Sequence, residues 1–435
     1  MKRRDHDVRT PERPVRVLMV IRLFYPWLGG TQRQAHRLAR ELLDRGVDVR
    51  IVTGWWFRGT PQRETIDGIP VFRNHTLWEG FGVRGARTLA GYLYILTLLW
   101  YLWRRRDAYD VIHVHGLSYH AFAAALAGRW LGKPTIAKLA NSGRASDIGK
   151  MREGQHLAFS RLMLPTALRC DRFVALNAAV ERELLEAGVP GDAIVRIPNG
   201  IELPAAPAEP VRGSGRAPRV VFVGRLHPQK GVDVLLRAAA LLRERRPGMD
   251  VRYDLVGDGP QRDELVALGG ELGVGSLVRF LGNRDDVEAH LAKADVFVLP
   301  SRAEGMSNAL LEAMSCGLPV VAAAVPGNTD VLEQGATGIL VEPEDPDRLA
   351  EALSEVLDDP DLRERLGRAA RHAVQDRYTI RAVGERYLAL YRELLTVGSD
   401  TTKPRSTSRS KIARAPSAGA SREVSIRRSG SADAS

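Results

Sequence analysis

The chain has 435 residues, a net charge of +11 and 44% hydrophobic residues, which is enough to build two globular domains with large buried cores. Residues 1–16 hold six basic and three acidic residues, and residues 398–435 hold eight and three, so most of the net charge sits at the two ends. Only +3 remains for the body of the chain, which argues against a nucleic-acid-binding protein and predicts no nucleic-acid partner.

The first predicted strand, Val17 to Ile21, follows a basic tail at residues 1–14. It leads into a turn with Gly29 and Gly30, after which a helix is predicted. Glycines at such a turn let the backbone come close to a ligand such as a phosphate. A tight connection between strand and helix explains the same glycines when they are considered alone.

The amino-terminal segment does not look like a signal peptide, because Arg22 interrupts its short apolar run. The two cysteines, Cys170 and Cys316, are far apart and follow no metal-type spacing. They suit a reducing compartment, where each is expected to be a small buried side chain. We therefore expect a cytoplasmic protein.

Residues 89–103 are almost wholly apolar and lie between arginines at 84, 87 and 104–106. A helix needs about 20 apolar residues to cross a bilayer, so two alternatives remain: a helix packed in the first domain, or one that lies in the membrane interface. Aromatic residues beside arginines favour a peripheral membrane contact through residues 84–106 and the basic tails. The Ser-, Thr- and Ala-rich tail 398–435 is predicted to be disordered.

Three histidines accompany the predicted strand at 111–115, namely His113, His115 and His120. The first two share one face of the strand, which could indicate a metal site. No cysteine or carboxylate nearby completes a ligand set, so we predict that no metal binds there.

Strands and helices alternate along the chain, which predicts an α/β protein with parallel sheets. Prolines and glycines crowd together at 204–218 and indicate a linker. The predicted units are therefore a domain at 15–203, a second domain at 219–379 and a last helix at 380–397.

In the second domain, the predicted strand Val220 to Val223 ends in Gly224 and is followed by Arg225 and Lys230. Open α/β sheets bind ligands at the carboxyl ends of their strands, where these two cations would face phosphate groups. Taken alone, they could equally be two solvated surface cations.

A later strand, Val296 to Leu299, leads into a Gly-containing loop and then a helix. Glu304 lies in the loop and Glu312 about one turn inside the helix, so the two carboxylates can meet one ligand at different points. The amides of residues 306–309 point forward from the helix amino terminus and suit a phosphate. For each glutamate alone, a helix-entry charge or a solvated helix residue is the simpler explanation.

Together, these two segments resemble the donor-phosphate element and the E-x7-E motif of family-four retaining glycosyltransferases, also called group 1 glycosyltransferases. The resemblance implies the GT-B fold, in which two Rossmann-like domains with parallel sheets face each other and a C-terminal helix crosses back to the first domain. It also implies a nucleotide diphosphate sugar as donor substrate and no required cofactor.

The resemblance assigns roles to individual residues. Arg225 and Lys230 would clamp the diphosphate, Glu312 would hold the ribose, and Glu304 would contact the donor sugar; Glu304, Arg225 and Lys230 are the predicted catalytic residues. The remaining predicted donor-binding residues are Gly30, Gly305, Met306, Ser307, Asn308, Ala309 and Leu310, and the predicted acceptor-side residues are Gly29, His115 and Asn141.

One position departs from the family's pattern, and one further motif could suggest a metal. Many relatives carry a histidine after the strand that corresponds to Thr135 to Leu139, whereas this chain has Ala140, with Lys138 or Asn141 as a possible substitute. Asp345 and Asp347 spell the Asp-x-Asp of metal-dependent glycosyltransferases, but a helix cap followed by proline explains them, and we expect metal-independent donor binding.

We therefore predict a retaining glycosyltransferase that moves a sugar to a hydroxyl acceptor in cell-envelope polysaccharide or glycolipid synthesis, with a lipid-linked acceptor favoured. The main alternative is a non-hydrolysing sugar-nucleotide epimerase of the same architecture. A glycosidase would also use paired carboxylates but would not need the phosphate clamp. A catalytically silent nucleotide-sugar-binding protein is the third alternative.

Overall fold

The computed structural model describes residues 13–27, 29–76, 86–141, 146–155, 157–204 and 216–400. Its strands are short apolar runs, and the first, Arg16–Ile21, has five of six residues buried. Runs of this kind belong in parallel sheets that helices cover on both faces. The chain builds two such sheets, one after the other.

The first sheet has eight strands in the order β3-β4-β2-β1-β5-β6-β7-β8, and all neighbours are parallel except β3 and β4. Its elements in chain order are β1 (Arg16–Ile21), α1 (Gly30–Asp44), β2 (Asp48–Trp55), β3 (Arg63–Ile66), β4 (Ile69–His75), α2 (Ala86–Arg104), β5 (Val111–His115), α3 (Tyr119–Leu131), β6 (Thr135–Leu139), α4 (Asp147–Arg152), α5 (Ser160–Ala167), β7 (Arg172–Ala175), α6 (Ala178–Glu186) and β8 (Ile194–Arg196).

The second sheet has six parallel strands in the order β11-β10-β9-β12-β13-β14. Its elements are β9 (Arg219–Val223), α7 (Val232–Arg245), β10 (Arg252–Val256), α8 (Arg262–Glu271), β11 (Val278–Gly282), α9 (Val287–Ala292), β12 (Val296–Leu299), α10 (Asn308–Ser315), β13 (Val320–Ala323), α11 (Pro326–Thr329), β14 (Ile339–Val341), α12 (Pro346–Asp358), α13 (Pro360–Arg377) and α14 (Ile380–Asp400).

In each sheet the strand order reverses at one point, between β1 and β5 in the first and between β9 and β12 in the second. At such a switch point, the loops after two neighbouring strands diverge and leave a crevice that binds ligands. The predicted site segments around Gly30, Arg225 and Glu304 all follow strands at these two points.

The last helix returns to the first sheet, as predicted. Ile380 donates a backbone hydrogen bond to the carbonyl of Ile201 at 2.8 Å, and α14 then packs beside α1. Tyr391 on this helix lies 2.8 Å from Nδ1 of His113. The predicted fold of two parallel-sheet domains with a returning helix is therefore confirmed, whereas the exact domain limits stay a prediction.

Strand β3, at the edge of the first sheet, was not predicted from the sequence. The short β3 alternates between exposed and half-buried residues, so it lacks the apolar run that marks a central strand. Both cysteines are buried and unpaired, as expected. Within the described residues, no helix has the length and apolar character needed to cross a membrane. The linker segment 205–215, residues 1–12 of the first tail and residues 401–435 of the second lie outside the described residues, whereas residues 398–400 belong to the end of α14.

Candidate donor and acceptor site

Two loops at the switch point of the second sheet are fixed to each other. The side-chain amide of Gln229 donates to the carbonyl of Ala303 at 2.8 Å. Gly231 has a φ of +63°, and a Cβ built there would lie 2.1 Å from the carbonyl oxygen of Pro300. Only glycine therefore lets the loop after β9 lie against the loop after β12, which places Lys230 next to Glu304.

Glu304 and Lys230 form an ion pair. Nζ of Lys230 lies 2.5 Å from Oε1 of Glu304, whose side chain is almost fully buried. The hydroxyl of Ser301 donates to the same oxygen at 2.7 Å. The resemblance assigned Lys230 to the diphosphate and Glu304 to the donor sugar. The structure places these two predicted site residues in direct contact.

Arg225 projects from the end of β9 and is exposed. Among the described residues we find no hydrogen bond or ion pair to its guanidinium, so it can receive an anion. Its backbone is held by the turn after β10: Leu226 donates to the carbonyl of Asp258 at 3.0 Å. A Cβ on Gly257 would lie 2.0 Å from the carbonyl of Gly224, so the two turns need glycine where they meet.

The amino termini of α1 and α10 face each other across the crevice. Asn308, the first residue of α10, donates from Nδ2 to the carbonyl of Gly30 at 3.2 Å and accepts from Gln34 at 3.0 Å. Ser307 caps α10 by accepting from the amide of Leu310. Helix amino termini carry partial positive charge, so two of them here make a region that favours phosphate.

One turn further along these helices, Arg37 of α1 donates to Oε1 of Glu312 at 2.7 Å. Gly30, Gln34 and Arg37 form one stripe on α1, because residues four and three apart share a helix face, and it faces Asn308 and Glu312 on α10. Sequence analysis missed Arg37 and Gln34. Their helical spacing was visible, but which helix they would face was not.

A second group, of which sequence analysis named only Lys138, connects the two domains beside α10. Lys138, at the end of β6, is buried, and its Nζ donates to Oδ1 of Asn199 at 3.0 Å. Asn199 donates in turn to the carbonyl of Met306 at 3.3 Å and to Oδ1 of Asn308 at 3.0 Å. Burial lowers the pKa of the Lys138 ammonium to about 7, because no carboxylate is among its neighbours in the described chain to offset its lost hydration.

The predicted acceptor-side residues lie along the carboxyl edge of the first sheet. Gly29 is the N-cap of α1. His115 is buried and stacked on His113 with ring centroids 4.3 Å apart, and burial lowers its pKa well below the usual value. Asn141 donates to Asp147 at 3.3 Å. Their contact with an acceptor stays a prediction.

Ala140, which stands where many relatives have histidine, lies against the loop of the second domain. A Cβ built on Gly305 would lie 1.6 Å from the carbonyl oxygen of Ala140. Asn177, the N-cap of α6, also donates to the carbonyl of Gly305. Both contacts close the first domain onto the E-x7-E segment. Asp345 caps α12 and Pro346 follows it, as expected from the sequence.

Comparison with known families and proteins agrees with this arrangement. The model described as Glycosyltransferase Family 4 matches residues 28–205, and the model described as Glycosyl transferases group 1 matches residues 217–359. The chain is 30% identical to the alpha-D-kanosaminyltransferase of Streptomyces kanamyceticus over 75% of this chain and 88% of that protein. It is 34% identical to the D-inositol 3-phosphate glycosyltransferase of Actinosynnema mirum over 79% of this chain and 88% of the relative.

A similar solved structure is that of HepE from Anabaena in complex with UDP and glucose, with a TM-score of 0.69 and 21% identity. The match covers 86% of this chain and 99% of that one. At this identity the likeness concerns the fold, which is the arrangement of two parallel-sheet domains described above.

Proposed function

Because this chain belongs to the family-four, group 1 glycosyltransferases, we propose that it transfers a sugar from a nucleotide diphosphate sugar to a hydroxyl acceptor with retention of the anomeric configuration. The observation that carries this proposal is the arrangement at the second switch point. There an exposed Arg225, a lysine paired with a buried Glu304 and the amino terminus of α10 converge on one crevice.

The donor diphosphate would lie between Arg225, Lys230 and the amides at the start of α10. These groups are positive or partly positive, and they would stabilise the charge that develops on the leaving phosphate. Glu312 would hold the ribose, and Glu304, fixed by Ser301, would contact hydroxyls of the donor sugar. Because cationic side chains and amides offset the diphosphate charge, donor binding would need no metal.

In the transfer step, the bond between the anomeric carbon and the diphosphate oxygen breaks and the acceptor oxygen bonds to that carbon on the same face. The acceptor proton passes to the departing phosphate, which leaves as the nucleoside diphosphate. The contacts of Gly305 with Ala140 and Asn177 would close the two domains over the reacting sugar and exclude water, which limits hydrolysis.

The acceptor is proposed to be lipid-linked or part of the cell envelope, reached at the cytoplasmic side of the membrane. The support is the apolar helix α2, which ends at Arg104, the first of three consecutive arginines at 104–106. The basic tails, most of which lie outside the described residues, would add to an attraction for anionic lipid.

The test is a transfer assay with purified protein, a panel of uridine, guanosine and adenosine diphosphate sugars, and lipid and soluble acceptors. We expect one donor to be consumed only when an acceptor is present and the product to keep the donor's anomeric configuration by NMR. An isomerised donor in the absence of acceptor would establish the epimerase instead. An inverted product would overturn the retaining mechanism but not the transfer.

A further inference from the structure

Helix α2 is apolar on two opposite faces. One face packs in the core of the first domain through Tyr94, Leu98 and Leu102, which are fully buried. The opposite face carries Leu89, Leu96, Trp100 and Trp103, all between 56% and 64% exposed. These four residues are spaced seven, four and three apart, which aligns them on one stripe of a helix. A surface helix normally presents polar residues there.

The exposed apolar surface continues onto two neighbouring helices. Trp130 at the end of α3, Phe159 at the start of α5 and Leu162 within it are 63–70% exposed. At one end of α2, the hydroxyl of Tyr92 donates to the carbonyl of Ala158 at 2.6 Å, which brings Phe159 beside it.

At the other end of α2, a buried tyrosine joins it to the end of α3. The hydroxyl of Tyr109 donates to the carbonyl of Leu102, and Lys133 donates to the carbonyl of Tyr109, at 2.8 and 2.9 Å. These contacts bring Trp130 to the same end of the surface as Trp103. We call this surface the aromatic face. It consists of seven exposed side chains: Leu89, Leu96, Trp100, Trp103, Trp130, Phe159 and Leu162.

The charged residues on the three helices that carry the aromatic face are all arginines. None of the helices α2, α3 and α5 contains Asp or Glu, whereas Arg104, Arg129 and Arg161 are exposed on them. The guanidinium of Arg104 lies over the ring of Trp100 at 5.4 Å, and that of Arg106 lies over Trp103 at 5.5 Å. Tryptophan with arginine at its rim is typical of a surface in the headgroup region of a bilayer.

We propose that the aromatic face docks the first domain onto an anionic lipid bilayer, with α2 lying in the interface rather than crossing it. An anionic bilayer fits better than a protein partner because every charged residue on the three helices is an arginine and the exposed residues are large and apolar. Since α2 connects the parallel strands β4 and β5, it runs antiparallel to them and begins at the carboxyl edge of the sheet, where the crevice opens. A lipid-linked acceptor would therefore enter past the start of α2; only this last point rests on the proposed function.

The test is co-sedimentation of the full chain with neutral phosphatidylcholine vesicles and with vesicles containing phosphatidylglycerol. We expect binding to the anionic vesicles, weakened by salt because surface electrostatics is screened. Trp130→Ser and Phe159→Ser, which lie outside α2, should each reduce binding several-fold, and the combined Arg104→Gln, Arg105→Gln, Arg106→Gln variant by about a hundredfold or more. Val266→Ser on α8, 49% exposed on the other domain, is the matched control and should bind like the wild type.

Absence of vesicle binding, or equal binding to neutral vesicles in high salt, would overturn the proposal. So would a self-association that Trp130→Ser and Phe159→Ser abolish, since the face would then belong to a second copy of the chain. Thermal stabilisation by the donor, measured on the same variants, shows that they are folded. Donor stabilisation without vesicle binding would refute this inference and leave the proposed transferase intact.

Discussion

The two sides of the crevice differ in how their functional residues are arranged along the chain. On the side of the second sheet, the site is made of two contiguous segments, 224–231 and 301–312, that follow neighbouring strands. On the side of the first sheet, it is made of single residues from separate elements, such as Arg37 of α1, Lys138 of β6 and Asn199 after β8. The first kind of site is local and is proposed to bind the donor, while the second depends on how the domains meet.

The largest expected effect concerns the side of the crevice that the second domain forms. Arg225→Ala should lower kcat by about 100-fold or more, as loss of a group that stabilises transition-state charge commonly does. The assay is donor consumption at saturating acceptor. Arg237→Ala, an exposed arginine on α7, is the matched control and should keep near-wild-type activity. Unchanged activity of Arg225→Ala would show that Arg225 is not needed to stabilise the diphosphate.

The next effect concerns closure of the two sides. Gly305→Ala places a methyl group where the carbonyl of Ala140 lies, so the domains must separate and kcat should fall by about tenfold, as small displacements of a reacting group often cost. Gly270→Ala on α8, with open space around it, should be neutral or slightly stabilising. Equal kcat for Gly305→Ala and wild type would show that this contact is not needed for transfer.

A smaller effect concerns the pair that joins α1 to α10. If Arg37 acts by positioning Glu312, then Arg37→Gln and Glu312→Gln should not be additive in kcat/KM, because removing either partner removes the same interaction. The expected coupling is about 0.5–3 kcal/mol from a double-mutant cycle. The main change should be a higher donor KM, since the ribose is proposed to bind Glu312. Additive losses would mean that the two residues act independently.

The last effect concerns stability rather than catalysis, and it arises from the buried Lys138. Its pKa is lowered in the folded protein to about 7, so above pH 7 the folded lysine is neutral while the unfolded one stays charged up to its ordinary pKa of about 10.4. The unfolded state then binds the extra proton, and the free energy of unfolding rises with pH in this window by up to about 1.4 kcal/mol per pH unit. Below pH 7 this rise is absent.

The measurement for Lys138 is urea unfolding from about pH 6.5, just below the pKa of the folded lysine, to about pH 9.5, below that of the unfolded one. Lys138→Met should lose the rise relative to the wild type, whereas Lys293→Met, an exposed lysine, should keep it. If the wild type and Lys138→Met change in parallel with pH, the lysine is not buried with a lowered pKa.

The difference between contiguous site segments in the second domain and scattered site residues in the first also explains which residues could be predicted from the sequence. Apolar runs such as Val296–Leu299 mark central strands by composition alone, and the positions of Arg225 and Glu304 follow from the strands before them. Arg37 and Asn199 could not be found in this way, because their partners, Glu312 and Asn308, are more than 100 residues distant along the chain. Their contacts depend on the angle between two domains, which local spacing does not encode.

The exposed side of α2 was only partly predictable. Its apolar content was visible, but a buried helix and an interfacial one have similar compositions at this length. The structure separates the residues of the two faces, and it adds Trp130 and Phe159 from helices that gave no signal on their own. The exposed residues of α2 can be separated from the buried ones only when it is known which of them pack in the core of the first domain.

The central claim is that the second domain binds an activated sugar by its diphosphate. The most direct measurement is isothermal titration calorimetry of the purified full chain with uridine, guanosine and adenosine diphosphate sugars, repeated with Arg225→Ala. We predict saturable binding of at least one of them, weakened about tenfold or more in the variant because charge-assisted phosphate contacts are lost. Binding of none of them, or equal binding by Arg225→Ala, would contradict the account.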